Sequence, residues 1–292
     1  MIKIGDVCPL FFNPIKDKFG IEVDYIQKFY TSDNIHLQIF ANAGENVSAT
    51  LIDLINDIST SISLSTYNQN SEVVMHYAIL TGLPDSDYKV NVNGLLSEPF
   101  CVSSFSDLLE RTSLIRYSHK DNNSVFNNIF WIGDTQIIFD WRVEAGFKPN
   151  GYTPKLENEQ YRNQWQEIKN LYSIPYDSYV FTIGDACGVP YWYGRHLNRI
   201  LCLSEFTIEH TSFVRSENSV PEMSQVIEDS QLFNLSITLE PQENSIDGIG
   251  GRPESESSSS IVGFVITNPK DGEMLQYSKE DAAFVNVDYV GV

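Results

Sequence analysis

The run Ile79-Leu80-Thr81-Gly82-Leu83-Pro84-Asp85-Ser86-Asp87-Tyr88-Lys89-Val90-Asn91-Val92 holds the end of one strand, a corner and the start of another. Gly82 permits a backbone conformation that other residues resist, and Pro84 fixes φ and removes an N–H, so the chain turns there. From Tyr88 onward Tyr88, Val90 and Val92 alternate with Lys89, Asn91 and Asn93. That period of two marks a strand with one face buried. Asn93-Gly94 supplies a tight hairpin turn, and Ser97 to Val102 reads as a closing edge strand, with Pro99 tolerable at an edge or a strand start. Upstream, His36 to Ala41, Ser61 to Tyr67 and Val73 to Thr81 alternate between polar breaks. Residues 1–105 therefore read as a β module.

The Gly-Leu-Pro-Asp corner feeding Tyr88 resembles the corner of fibronectin type III domains and related sandwiches. The resemblance implies an immunoglobulin/fibronectin-like β-sandwich in which the Tyr88 hydroxyl bonds back to the corner. An unrelated antiparallel hairpin is the plainer alternative for the same alternation.

Residues 106–243 read as a mixed, α+β block: a β-rich domain with one amphipathic helix. Phe105 to Leu114 is helix-like, and two short strands flank Gly133-Asp134. The helix is expected near 154–172. Thr153 would cap it and Pro154 would open it, while Tyr161, Trp165, Ile168 and Tyr172 at spacings of four, three and four would form one apolar stripe. Strands are expected again at Tyr179 to Ile183, Leu197 to Leu203, Phe206 to Ile208 and Phe233 to Leu239. The fold class is thus mainly β.

Residues 244–260 (NSIDGIGGRPESESSSS) contain six serines and only Ile246 and Ile249 as large apolar residues. Such composition reads as a flexible linker. Residues 261–292 then carry short alternating runs, including Met274 to Tyr277 and Ala283 to Val287. About thirty residues are too few for an independent core, so this piece is expected to be a docking element that pairs with another chain.

The 292 residues carry 39 acids against 19 bases, a net charge of −20. That excess argues against specific nucleic-acid binding or attachment to an anionic membrane, both of which need clustered Lys and Arg. It is uneven: Glu205 to Glu256 hold eleven acids and two bases. No apolar run is long enough for membrane insertion as a helix, and Met1 to Asp6 lacks a secretory leader's apolar core, so the chain is expected to be made in the cytoplasm. Cys8, Cys101, Cys187 and Cys202 lie far apart without a CxxC pair, which disfavours zinc and a disulfide framework.

No pattern compels catalysis. Cys187 and His196, oriented by Asp185, would make a nucleophile pair, but no family-type signature surrounds the cysteine. Tyr191-Trp192-Tyr193-Gly194-Arg195-His196 could stack a sugar or a base, and core or subunit packing is its plainer use. Asp85 and Asp87 lack a third carboxylate for Ca²⁺, and Gly248-Ile249-Gly250-Gly251 lacks the strand and helix of a phosphate loop. No enzyme activity, cofactor or metal is expected.

The tail's Asn268-Pro269-Lys270-Asp271-Gly272-Glu273-Met274-Leu275-Gln276-Tyr277, followed by Phe284-Val285-Asn286, resembles an element of tailed-bacteriophage fibre and appendage proteins. There it forms short strands that assemble between subunits, which implies Gly272, Leu275, Tyr277, Phe284, Val285 and Asn286 as subunit or fibre docking residues. Ser97 to Phe100, Leu114 to His119, Asn218 to Met223 and Leu235 to Pro241 are similar in overall cast to tail and neck proteins of phages of Bacteroides-type hosts, including the crAss-like group. The resemblance implies a ring-forming, head-to-tail connection subunit of the virion, made in the host bacterial cytoplasm. Its implied partners are copies of itself and other tail, neck, portal or fibre proteins. A carbohydrate-binding or carbohydrate-cleaving sandwich is the alternative, and it would require an exposed platform built on Trp192 with Tyr191 or Tyr193.

Overall fold

The computed structural model describes residues 2–12, 23–122, 127–184, 187–217, 219–227 and 231–242, together with the backbone of 273–278 and 283–288. The chain divides into two units, Met1–Asn244 and Ser245–Val292.

The first unit begins with ten strands: β1 (Lys3–Ile4), β2 (Gln27–Tyr30), β3 (Ile35–Asn42), β4 (Ala49–Asp53), β5 (Ile58–Ile62), β6 (Ser65–Asn68), β7 (Val73–Leu80), β8 (Ser86–Val92), β9 (Leu95–Leu96) and β10 (Phe100–Ser103). They form two sheets, ordered β1-β3-β7-β6 and β2-β10-β8-β4-β5, with β9 added on β8. Every pairing is antiparallel except β2 with β10. Apolar residues of both sheets, among them Leu37, Ile39, Phe29, Val90 and Phe100, pack into one buried core. This is a β-sandwich.

Its local chemistry follows the sequence. The Tyr88 hydroxyl donates to the Pro84 carbonyl at 2.9 Å, so the corner is tied by the expected bond. Gly82 sits at φ +64° with its N–H given to the Thr31 carbonyl. Asn93 (φ +47°) and Gly94 (φ +91°) are both left-handed, the geometry of a two-residue turn between twisted strands. β3 departs from simple alternation because seven of its eight residues are buried. Its second face, carrying His36, Gln38 and Phe40, is covered by the chain beyond residue 106. Phe40 packs with Ile129, the His36 ring lies 5.2 Å from Phe139, and Gln38 Nε2 donates to the Ile129 carbonyl at 2.7 Å.

The rest of the unit comprises α1 (Ser106–Arg111), β11 (Ser113–Ser118), β12 (Trp131–Ile132), β13 (Thr135–Gln136), β14 (Phe139–Val143), β15 (Ala145–Phe147), β16 (Thr153–Arg162), β17 (Ile168–Ile183), α2 (Tyr191–Ile200), β18 (Glu205–Ile208), β19 (Thr211–Arg215), β20 (Glu222–Gln225) and β21 (Phe233–Pro241). The main sheet runs β14-β11-β18-β19-β21-β17-β15. Its two ends, β14 and β15, are one run of chain broken only at Glu144, so the sheet returns on itself around a core that includes Ile115, Phe139, Trp141, Phe181, Ile208 and Ile237. Helix α2 adds Trp192, Tyr193, Leu197 and Ile200 to that core. Val7 and Cys8, from the segment after β1, also enter it.

Polar bonds join the sandwich to this second sheet, one pair of them buried. Arg142 on β14 donates through Nε and one Nη to both oxygens of Asp33 at 2.7 and 2.8 Å. The Asp140 carboxylate accepts the Asn34 N–H at 3.0 Å and pairs with Arg116 at 3.1 Å. Lys28 pairs with Glu144.

Three sequence expectations are corrected. The run Ser97 to Val102, expected as a closing edge strand, gives β10, which lies inside its sheet between β2 and β8, with Pro99 just before the strand start. The helix expected near 154–172 is an antiparallel hairpin of β16 and β17, turning at Asn163–Glu167. Asn163 Oδ1 accepts the Trp165 and Glu167 N–H groups, and Gln166 is left-handed at φ +66°, which ends any helical path there. β17 also continues without a break into the core sheet, pairing with β21 from Tyr179 to Ile183, and this pairing outweighs the helical spacing. Leu197 to Leu203, expected as a strand, is the end of α2 and the turn after it.

In the second unit, β22 (Glu273–Ser278) and β23 (Ala283–Asp288) form one antiparallel hairpin. The linker expected at 244–260 lies outside the described residues.

Candidate docking surfaces

The β16–β17 hairpin is rooted at its base. Lys155 Nζ donates to Ser216 Oγ at 2.8 Å, Tyr152 donates to Asp177 at 2.9 Å, and Ser178 Oγ donates to the Thr153 carbonyl at 3.1 Å. Beyond that base it stands, among the described residues, as a lone two-stranded arm, with every residue from 164 to 175 exposed. The ten residues of β16 reach about 30 Å. Seven large apolar side chains are exposed along the arm: Leu156, Tyr161, Trp165, Ile168, Leu171, Tyr172 and Ile174, with Trp165 at the turn 81% exposed. The ladder shifts register between Glu159 and Gln160, which bends and twists the ribbon.

A second surface lies on the sandwich. β5 and β6 are the outer strands of their sheets, each pairing on one side only among the described residues. Beside them opens a groove of about 490 Å³, lined by Leu51, Ile62, Tyr77, Ile79, Leu80 and Leu83 with intervening Ser, Thr and Ala and no charged residue. Residues 58–71 carry no charge either. Edge strands are normally guarded by charges, Pro or bulges, and these two are not.

Of the residues expected to dock subunits or fibres, Leu275 stands opposite Asn286, Tyr277 opposite Phe284, and Val285 opposite Gln276 in the β22–β23 ladder. The hairpin register thus brings five of the six together. Gly272 lies outside the described residues. Sequence reasoning misses the arm as a docking surface, although its signal is present: Tyr161, Trp165, Ile168 and Tyr172 are the same residues that read as a helical stripe.

Of the residues considered for chemistry, Trp192, Tyr193 and His196 are placed as packing. Trp192 (5% exposed) and Tyr193 (1%) lie in the core, so α2 offers no aromatic platform to a sugar. The His196 ring sits 4.6 Å from Trp141 and 5.3 Å from Phe11, and its Nε2 lies 3.3 Å from the Tyr117 hydroxyl. Burial, with a smaller effect from Arg199, lowers its pKa to about 3, so it is neutral at pH 7. Cys187 is exposed whereas His196 is buried, and Asp185 lies outside the described residues. Burial pushes the Cys8 thiol up to about 12, which makes it unreactive. Asp85 accepts from Ser104 Oγ at 2.7 Å. Among the described residues no group of three His, Cys, Asp or Glu side chains is placed to hold a metal ion. No described helix is long and apolar enough to cross a membrane.

No protein-family profile and no curated protein sequence matches the chain. Among solved structures, a pullulanase from Anoxybacillus sp. LM18-11 complexed with maltotriose aligns over 55% of this chain and 24% of its own at 8% identity, with a TM-score of 0.19. A pullulanase type I from Bacillus subtilis str. 168 complexed with maltose aligns over 56% and 23% at 7% identity, with a TM-score of 0.18. The immunoglobulin domains of Dpr2, in complex with DIP-Theta, align over 82% and 92% at 8% identity, with a TM-score of 0.18. The chain spans about a quarter of the length of the pullulanases.

Proposed function

We propose that this protein is a bacteriophage virion structural subunit, a ring-forming tail or neck component that assembles with neighbouring rings and docks a fibre or a sister subunit through its C-terminal hairpin. The phage assignment rests on the sequence resemblance in Asn268 to Asn286 and in the runs between Ser97 and Pro241. The observation that carries an assembly role is the exposed apolar arm. Two-stranded ribbons are marginal in water without something to pack against, and an exposed apolar surface of this extent marks a contact site. The C-terminal hairpin offers a second short ladder whose outer edges suit pairing with another chain. The glycan-binding alternative loses its motive with Trp192 and Tyr193 buried.

Immunogold labelling of phage particles purified from the host that carries the coding sequence tests the virion assignment. Gold at the head–tail junction or along the tail is the expected result. Protein that stays in the soluble lysate and is absent from particles, or that binds oligosaccharide as a monomer through Trp165, would overturn it.

A further inference from the structure

We propose that the β16–β17 arm of one copy docks against the β5–β6 edge and apolar groove of the next, so that copies join head to tail through two different surfaces. This deepens the ring-subunit reading and rests on it.

Three observations meet here. First, the arm exposes Leu156, Tyr161, Trp165, Ile168, Leu171, Tyr172 and Ile174 on a ribbon that its own chain, among the described residues, leaves uncovered beyond the base. Second, β5 and β6 present unguarded outer edges beside a groove of about 490 Å³ lined by Leu51, Ile62, Tyr77 and Ile79. An incoming ribbon would extend a sheet by main-chain hydrogen bonds while its apolar side chains enter the groove. Third, the charges match. Residues 153–175 carry three bases (Lys155, Arg162, Lys169) and three acids (Glu157, Glu159, Glu167), and the groove and residues 58–71 carry none. The whole net charge of −20 therefore lies elsewhere, so most faces of two copies repel while these two meet without repulsion. Pairing of arm with arm would close at two copies and leave the β5–β6 edge bare. A contact between different surfaces propagates, and it closes into a ring when its rotation permits.

The test uses two full-length variants. Trp165→Glu with Ile168→Glu disables the arm, and Ile58→Lys with Thr60→Lys blocks the edge. All four side chains are exposed, so circular dichroism spectra should match that of the parent chain. Sedimentation velocity should show each variant alone associating at least tenfold more weakly than the parent. Mixed together, they should form one-to-one dimers and nothing larger, because only one intact arm and one intact groove can meet. An edge variant that self-associates like the parent, or a mixture of folded variants that stays monomeric, would overturn the proposal. A parent ring unaffected by either variant refutes this contact and leaves the ring reading standing. Open filaments of the parent that both variants abolish support the contact and refute the closed ring. A monomeric parent refutes both.

Discussion

Tyr88 does two jobs with one side chain, filling the sandwich core with its ring and tying the corner through its hydroxyl to the Pro84 carbonyl. Tyr88→Phe keeps the ring and removes the bond, and urea unfolding should show a loss of about 1 kcal/mol. Arg142 and Asp33 form a buried two-pronged pair, so Asp33→Ala strands a buried guanidinium and should cost about 3–5 kcal/mol by the same measurement. The buried histidines set a pH dependence. Burial lowers His36 to about 4 and His196 to about 3 from an ordinary 6.5, so both are neutral in the native state at neutral pH. As pH falls below 6.5 the unfolded chain takes up protons that the native state refuses, and stability declines from there down to the folded values. At about pH 5 the loss is about 2 kcal/mol per histidine. Urea midpoints should therefore be lower at about pH 5 than at neutral pH, and His196→Phe should narrow that difference. At this scale the corner was legible because Gly82, Pro84 and Tyr88 lie within seven residues of each other. The burial of His196 was not, because its neighbours Tyr117, Trp141 and Phe11 come from three other segments.

The elements divide the same way. β8 and its turn into β9 follow from local alternation and the Asn-Gly pair. The arm does not, because Tyr161, Trp165, Ile168 and Tyr172 fit a helical stripe as well as two strands around a turn. The turn at Asn163, the left-handed Gln166 and the run of β17 into its pairing with β21 separate the two. The stripe is real apolar surface in a different geometry, and it is the main candidate contact. Because its side chains beyond the base touch water on both faces, the arm contributes little to the stability of the body. Replacing 156–174 with a short turn should leave the thermal midpoint within a few degrees of the parent, by calorimetry, while abolishing self-association. A large drop in the midpoint would show that the arm supports the fold rather than a contact.

At the scale of the whole molecule, the β class followed from composition and alternation, but the welding of the two sheet systems did not. β3 looks like a half-buried strand and is buried on both faces, because His36, Gln38 and Phe40 meet residues 129 and 139. Val7 and Cys8 likewise leave the sandwich for the second core. Both cores lie within Met1–Asn244. On the proposed contact the acidic excess takes on a physical role as well: it would keep copies apart except where an arm and an uncharged edge meet. The head-to-tail ring is tested most directly by the native mass of the purified full-length chain, taken together with negative-stain images. One discrete assembly of several copies, seen as a closed ring, is the predicted result; a monomer at micromolar concentration would contradict it.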